Sequence, residues 1–210
     1  MKISFIGTGL MGFPMAKNLL KKNLDLKIFS RTLKKSKPLE EFGGKIINSL
    51  SEAIIDSDII LTMLTDDDAV EKVLGNSDFL KNLKPSSTVI DMSSIKPKIA
   101  IKYGKLLKEN NINFLDAPVS GGTIGAEQGS LAIMVGGDQK TFDNAIDVLK
   151  IMGNPTLVGP IGSGQVSKLA NQIIVGVTIG AVAEAITLCE KAGIDGNKFI
   201  KALSGGFADG

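Results

Sequence analysis

The chain has 210 residues, 43% hydrophobic and 22% charged, and Lys+Arg 24 against Asp+Glu 22 leaves a net charge of +2. So even a balance gives no electrostatic footprint for nucleic acid, and nucleic acid is not an expected partner. Histidine is absent and Cys189 is the one cysteine, which excludes a histidine triad, a histidine metal site, a histidine proton relay and an internal disulfide.

The chain opens on an apolar run, Lys2 to Ile6, that reads as a strand. Gly7-Thr8-Gly9-Leu10-Met11-Gly12 follows, and then an amphipathic helix over Met11–Lys22. Strand, glycine turn and helix in that order are what a dinucleotide-binding βαβ unit requires. Gly7 permits the sharp turn, Gly9 lets a pyrophosphate approach the backbone, and Gly12 lets the helix pack close to the sheet. The N–H groups of the first helical turn and the helix dipole would face the phosphates. A glycine turn joining any strand to any helix is the plain alternative; the strand before it and the helical face after it favour binding.

The second strand, Leu26–Phe29, ends at Ser30-Arg31-Thr32, where an acid would bond the ribose 2′-OH of NAD and an arginine would accommodate a 2′-phosphate. No acid stands there, and Lys34 and Lys35 follow, so NADP(H) is favoured over NAD(H). Further strands are expected at Lys45–Ile47, Ile59–Met63, Thr88–Asp91, Asn113–Leu115, Leu131–Val135 and Thr156–Val158. Helices are expected between them at Leu39–Phe42, Leu50–Ser57, Asp66–Leu74, Pro97–Asn110 and Gln139–Met152. The acidic run Asp66 to Asp68 reads as a helix cap and first turn. This alternation predicts an α/β fold: a doubly wound, Rossmann-type, mostly parallel sheet.

Two stretches offer chemistry. Asp116-Ala117-Pro118-Val119-Ser120-Gly121-Gly122-Thr123 follows a strand, where ligands of open α/β sheets bind. Ser120 offers a hydroxyl, and Gly121 and Gly122 offer bare backbone N–H groups to a carboxylate. A plain glycine-rich turn would read the same. The second stretch is Gly162 to Gln172, where Lys168, Asn171 and Gln172 stand at i, i+3 and i+4 and share a helical face. A lysine in an apolar site loses basicity by desolvation and can exchange a proton near neutral pH; an exposed surface lysine is the plain alternative.

From Gly164 to Gly193 helical periodicity runs on for roughly 45 Å, and a short helix, Asn197–Leu203, follows. The expected domains are a dinucleotide-binding domain over 1–162 and the start of an all-α domain over 163–210. Cys189 reads as a small buried side chain. The apolar stretch Ile173–Ala183 reads as too short to span a bilayer. With no signal-peptide pattern at the start, a cytoplasmic protein is expected, with no membrane partner.

GTGLMGFPMAKNL, SRT, DMSSIKP, DAPVSGG and GSGQVSKLANQ, in that order, resemble the 3-hydroxyacid (β-hydroxyacid) dehydrogenase family, which includes 3-hydroxyisobutyrate dehydrogenases and tartronate semialdehyde and glyoxylate reductases. KLANQ and ALSGGFADG are most similar to the reductase branch. The resemblance implies hydride transfer between a nicotinamide cofactor and a short 3-hydroxy acid or semialdehyde acid. It implies Lys168 as acid/base, Ser120, Gly121 and Gly122 on the substrate carboxylate, and Asn171 and Gln172 beside the substrate. Gly7, Thr8, Gly9, Leu10, Met11 and Gly12 would hold the pyrophosphate, and Ser30, Arg31 and Thr32 the adenosine end. Met63 and Leu64 would line the cofactor, and Ser93 and Ser94 would lie near the nicotinamide. It also implies a small carboxylic acid substrate, further helices beyond residue 210, and a homo-oligomer (dimer or tetramer) of the full-length chain. A dinucleotide-binding but catalytically incomplete or regulatory relative is the alternative.

Overall fold

The structure, a computed structural model, describes residues 1–208. Asp209 and Gly210, which end the motif ALSGGFADG, lie outside the described residues. The chain forms two compact units, Met1–Lys168 and Leu169 onward.

In the first unit β1 (Lys2–Ile6) leads through the glycine turn into α1 (Gly12–Lys21), and β2 (Asp25–Phe29) follows. Next come α2 (Leu33–Ser36), a 3-10 turn (Lys37–Phe42), β3 (Lys45–Ile46), α3 (Leu50–Ile54) and β4 (Ile59–Thr62). Then α4 (Asp67–Leu74) and α5 (Ser77–Asn82) precede β5 (Thr88–Asp91), and α6 (Pro97–Glu109) precedes β6 (Asn113–Asp116). After β7 (Val119–Ser120) and α7 (Gly122–Gln128) the chain forms β8 (Leu131–Gly136), α8 (Gln139–Lys150) and β9 (Gly153–Gly159), and enters α9 (Ser163–Lys191).

The strands build one nine-stranded sheet in which β3-β2-β1-β4-β5-β6 run parallel. Chain order reverses between β1 and β4, the switch point at which the crevice of a doubly wound sheet opens. β8 runs antiparallel to β6 and β7 and parallel to β9. Alternation along the strands divides the core between two faces. Phe5, Ile28, Leu61 and Leu115 pack with Met15 and Leu19 of α1 and Leu149 of α8. Ile6, Ile60, Val89 and Phe114 pack with Val70, Phe79, Tyr103 and Leu107 from α4, α5 and α6. The doubly wound, mostly parallel architecture expected from the alternation is present.

Asp66 caps α4 by accepting from the Ala69 N–H at 2.8 Å. β9 is longer than Thr156–Val158 because Pro155 is accommodated within it. β9 pairs only with β8, and an edge strand tolerates a residue that cannot donate. β7, α2, α5 and α7 are additional to the expected elements. Each is short, and β7 owes its extended form to pairing with Ile133 and Ala132 of β8.

α9 spans 29 residues. Its first turns belong with the sheet: a Cβ on Gly164 would stand 2.4 Å from the Met134 carbonyl oxygen and 2.5 Å from that of Asp116. By packing, the first compact unit runs through Lys168.

In the second unit α10 (Gly196–Leu203) is capped by Asp195, whose carboxylate accepts from the Lys198 N–H at 2.9 Å. From Ile173 to Ala183 α9 is apolar all round but for Thr178, and Ile173, Ile174, Val177 and Ile179 are exposed. By length and composition alone α9 as a whole is long and apolar enough to cross a bilayer, and the run Ile173–Ala183 lies inside it. One expectation is corrected. Cys189 is half-buried, not buried, because it lies on this uncovered helix.

Candidate functional site

The glycine turn stands at the carboxyl end of β1. Gly7 has φ +99°, and a Cβ there would lie 2.3 Å from the Met63 carbonyl oxygen. At Gly12 a Cβ would lie 1.9 Å from the Gly7 carbonyl oxygen, so α1 closes onto the turn itself. Gly9 differs, since a Cβ there meets nothing within 4 Å. Packing does not require that glycine, and the open space before it is where a pyrophosphate would approach. α1 has no side-chain cap and no acid in its first turn, so its positive end is left to an anion. Leu10 is exposed and Met11 half-buried, whereas Thr8 is buried, its hydroxyl 2.7 Å from that of Ser36. The residues of the turn thus fit a dinucleotide, with the Thr8 hydroxyl engaged by Ser36.

Ser30, Arg31 and Thr32 follow β2, with Arg31 and Thr32 exposed and Ser30 half-buried. A cleft of about 580 Å³ runs from Gly9 and Leu10 to Lys34 and Lys35, with Phe13 and Pro14 of α1 on its wall. Lys17, Lys21, Lys34 and Lys35 thus border this cleft, with Glu127 among its lining residues. Met63 and Leu64 follow β4, both half-buried.

At the end of β5 lies a polar knot that the motifs contain but did not assign. Asp91 is fully buried. Its Oδ1 accepts from the Thr62 hydroxyl at 2.7 Å and the Ser93 hydroxyl at 2.6 Å, while its Oδ2 has no hydrogen-bond partner among the described residues. Burial pushes this carboxyl up to about 6, against the hydrogen bonds from Ser93 and Thr62 that favour ionisation. The Ser93 hydroxyl also accepts from the Leu64 N–H at 2.9 Å, so one carboxylate ties the loop after β4 to the loop after β5. Ser93 is turned into this network, and Ser94 is exposed.

Asp116, paired across the ladder with Asp91, does the corresponding work at the end of β6. Its Oδ1 accepts from the Gly162 N–H at 2.7 Å and its Oδ2 from the Gln165 N–H at 2.9 Å. Burial raises its pKa, and these backbone donors oppose the rise. The carboxylate therefore caps α9 and complements the positive end of its dipole. Gln165, buried on the first turn of α9, extends its amide into the loop after β5. By these bonds Lys168, half-buried on the next turn, is brought to the carboxyl edge of the sheet. Burial lowers its pKa, the direction an acid/base lysine needs.

Ser120, half-buried, ends β7, and the exposed pair Gly121 and Gly122 adopt φ +131° and +61°. Asn171 is half-buried and Gln172 exposed on α9 beyond Lys168. The candidate residues of the first unit thus lie at or just after the carboxyl ends of β1, β2, β4, β5 and β7, or on the helix pinned beside β5 and β6. Sequence reasoning assigned no role to Asp91, Asp116, Gln165 or Thr62. The only signal was that both aspartates end apolar strands, where a carboxylate has no packing purpose.

Residues 2–191 match the family model described as the NAD binding domain of 6-phosphogluconate dehydrogenase. The chain is 41% identical over 210 residues to 2-hydroxy-3-oxopropionate reductase of Escherichia coli strain K12, covering 99% of this chain and 72% of the reductase. It is 36% identical over 208 residues to probable 3-hydroxyisobutyrate dehydrogenase-like 2, mitochondrial, of Arabidopsis thaliana, covering 99% of this chain and 70% of the relative. Among solved structures, 3-hydroxyisobutyrate dehydrogenase of Mycobacterium tuberculosis with L-serine superposes with a TM-score of 0.91 at 32% identity. That alignment covers 99% of this chain and 71% of the solved one. With the glycine turn, the strand order and these relatives in agreement, the chain belongs to the 3-hydroxyisobutyrate dehydrogenase-like, or 3-hydroxyacid dehydrogenase, family of NAD-binding oxidoreductases.

Proposed function

We propose that this protein interconverts a short 3-hydroxy acid and its semialdehyde acid, of the tartronate semialdehyde, glyoxylate or 3-hydroxyisobutyrate type, with NADP(H) favoured over NAD(H). The observation that supports the reading is the double pinning of the α9 first turn to the loop after β5 and the end of β6, at the same carboxyl edge of the sheet that carries the glycine turn. Bound there, the nicotinamide would supply or accept the hydride. Lys168 gives a proton to the substrate oxygen in the reductive direction and takes it back in the oxidative one. Its burial makes the ammonium a better donor than a solvated lysine. Ser120 with the backbone N–H groups of Gly121 and Gly122 holds the substrate carboxylate. Asn171, at i+3 from Lys168, stands beside the reacting oxygen, with Gln172 next to it. Ser93 serves by fixing its loop and Ser94 by lining it, while Met63 and Leu64 flank the cofactor. Arg31, with Ser30 and Thr32, takes the 2′-phosphate. The single cysteine fits a reducing cytoplasm. The uncovered apolar α9 favours a homo-oligomer built on a second copy of this chain.

Glyoxylate, succinic semialdehyde, tartronate semialdehyde and methylmalonate semialdehyde, each offered with NADPH and NADH, test the reading. At least one should be turned over, faster with NADPH. Lys168→Ala should lower kcat by about 100-fold or more while NADPH affinity stays within about twofold. NADPH binding without turnover of any aldehyde acid would leave a catalytically incomplete dinucleotide-binding protein instead. An active Lys168→Ala variant would remove the lysine from the chemistry.

A further inference from the structure

Gln165 is 1% exposed although it stands on the first turn of α9. Its side chain does what a strand residue does for a neighbouring backbone. Oε1 accepts from the Ile95 N–H at 3.0 Å, and Nε2 donates to the Ser93 carbonyl at 2.8 Å. These partners lie about seventy residues earlier in the chain. The backbone N–H of the same residue donates to Asp116, so the turn is held both by the end of β6 and by the loop after β5. A buried amide with both ends satisfied is sensitive to geometry, because a displaced turn would leave two backbone groups and the amide unpaired in a water-poor interior. An aliphatic side chain would fill the same volume without fixing the rotation of the helix.

Lys168 is at i+3 from Gln165 and so projects from the same face, one turn on. Rotation or sliding of the first turn moves the ammonium by a comparable amount, and misplacement of about 1 Å is enough to cost about 100-fold in rate. We propose that Gln165 is the positioning residue of the site: by bridging Ser93 and Ile95 it sets the place of Lys168 against the loop after β5. The inference rests on Lys168 being the acid/base of the proposed reaction.

Gln165→Met keeps the length and volume and removes both hydrogen bonds. Gln165→Glu keeps the acceptor for Ile95 and loses the donor to Ser93. Two readouts decide, each on protein shown folded by its melting curve. In the first, Lys168 is acetylated competitively across a pH series and followed by peptide mass spectrometry, which needs no turnover. Gln165→Met should shift the midpoint or the limiting rate at Lys168 by about threefold or more, with other lysines unchanged. A Lys168 profile identical to wild type overturns the proposal. The second is a double-mutant cycle. Gln165→Met should lower kcat about 10- to 100-fold beside Lys168, with little change in KM for NADPH, and by at most about twofold in a Lys168→Ala background. Gln165→Glu should fall between. Equal losses in both backgrounds overturn the proposal, since a structural role acting apart from Lys168 would cost the same in each. If Gln165→Met does not fold, Gln165→Glu is read by the same two criteria. Absence of wild-type turnover would count against the proposed function, and the acetylation profile would still decide the role of Gln165.

Discussion

Asp91 places a carboxyl oxygen without a partner in a fully buried position, beside a second buried carboxyl, Asp116. Because its pKa is higher folded than the usual 3.8, the folded state holds the proton more tightly than the unfolded chain does. The resulting stabilisation is fully present below about 4 and is lost as pH rises through about 6. Asp91→Asn cannot titrate and can still accept from Thr62 and Ser93. Its stability relative to wild type should therefore improve as pH rises from 4 to 7, by up to about 3 kcal/mol. In a chain of this length that amounts to roughly 6–12 °C in melting temperature. A difference that stays flat across this window in thermal melts would show that Asp91 is ionised throughout. The proposed contact between Arg31 and a 2′-phosphate is tested at one side chain. Arg31→Ala should weaken NADPH about tenfold or more, the value of a charge-assisted hydrogen bond, and leave NADH within about twofold. Equal losses in fluorescence titrations would count against a 2′-phosphate contact.

Within an element, two glycines of one turn part company. Gly12 sits against the Gly7 carbonyl, whereas Gly9 faces open space. Gly12→Ala should cost more than about 2 kcal/mol of stability by forcing α1 off the turn. Gly9→Ala should melt within about 2 °C of wild type while losing about tenfold or more in dinucleotide affinity. Equal melting losses would mean that the turn is built for packing alone. This turn was legible in the sequence because its logic is local: a strand, glycines at fixed spacing and a helix, all within Met1 to Lys21. The long helix was legible for the same reason. β7 and α7 were not, because Gly121 and Gly122 read as a plain turn and the extension of Val119 and Ser120 comes from β8. The knot of Asp91, Thr62, Ser93, Gln165 and Asp116 was least legible. Its members meet across separations of about thirty to seventy residues, which no local periodicity reports.

At the scale of the whole molecule the two units face different physical problems. Met1–Lys168 encloses two apolar clusters, one on each side of a sheet, and that is enough core for a domain of its size to fold alone. From Leu169 onward no described residue is buried. A helix hydrophobic on every side belongs in an interior, yet Ile173 is 67% and Val177 67% exposed. A Cβ on Gly176 or Gly180 would meet nothing within 4 Å, so nothing in the described residues requires those glycines, and they leave room for another backbone. Exposed apolar surface on this scale drives association, and a second copy presents the same surface. Residues 1–168 expressed alone should therefore melt cooperatively, bind NADPH and sediment as a monomer at all concentrations. Residues 1–210 should show a weight-average mass that rises with concentration toward a dimer or tetramer. A monomer over the whole concentration range would mean that α9 does not pair with a second copy within residues 1–210.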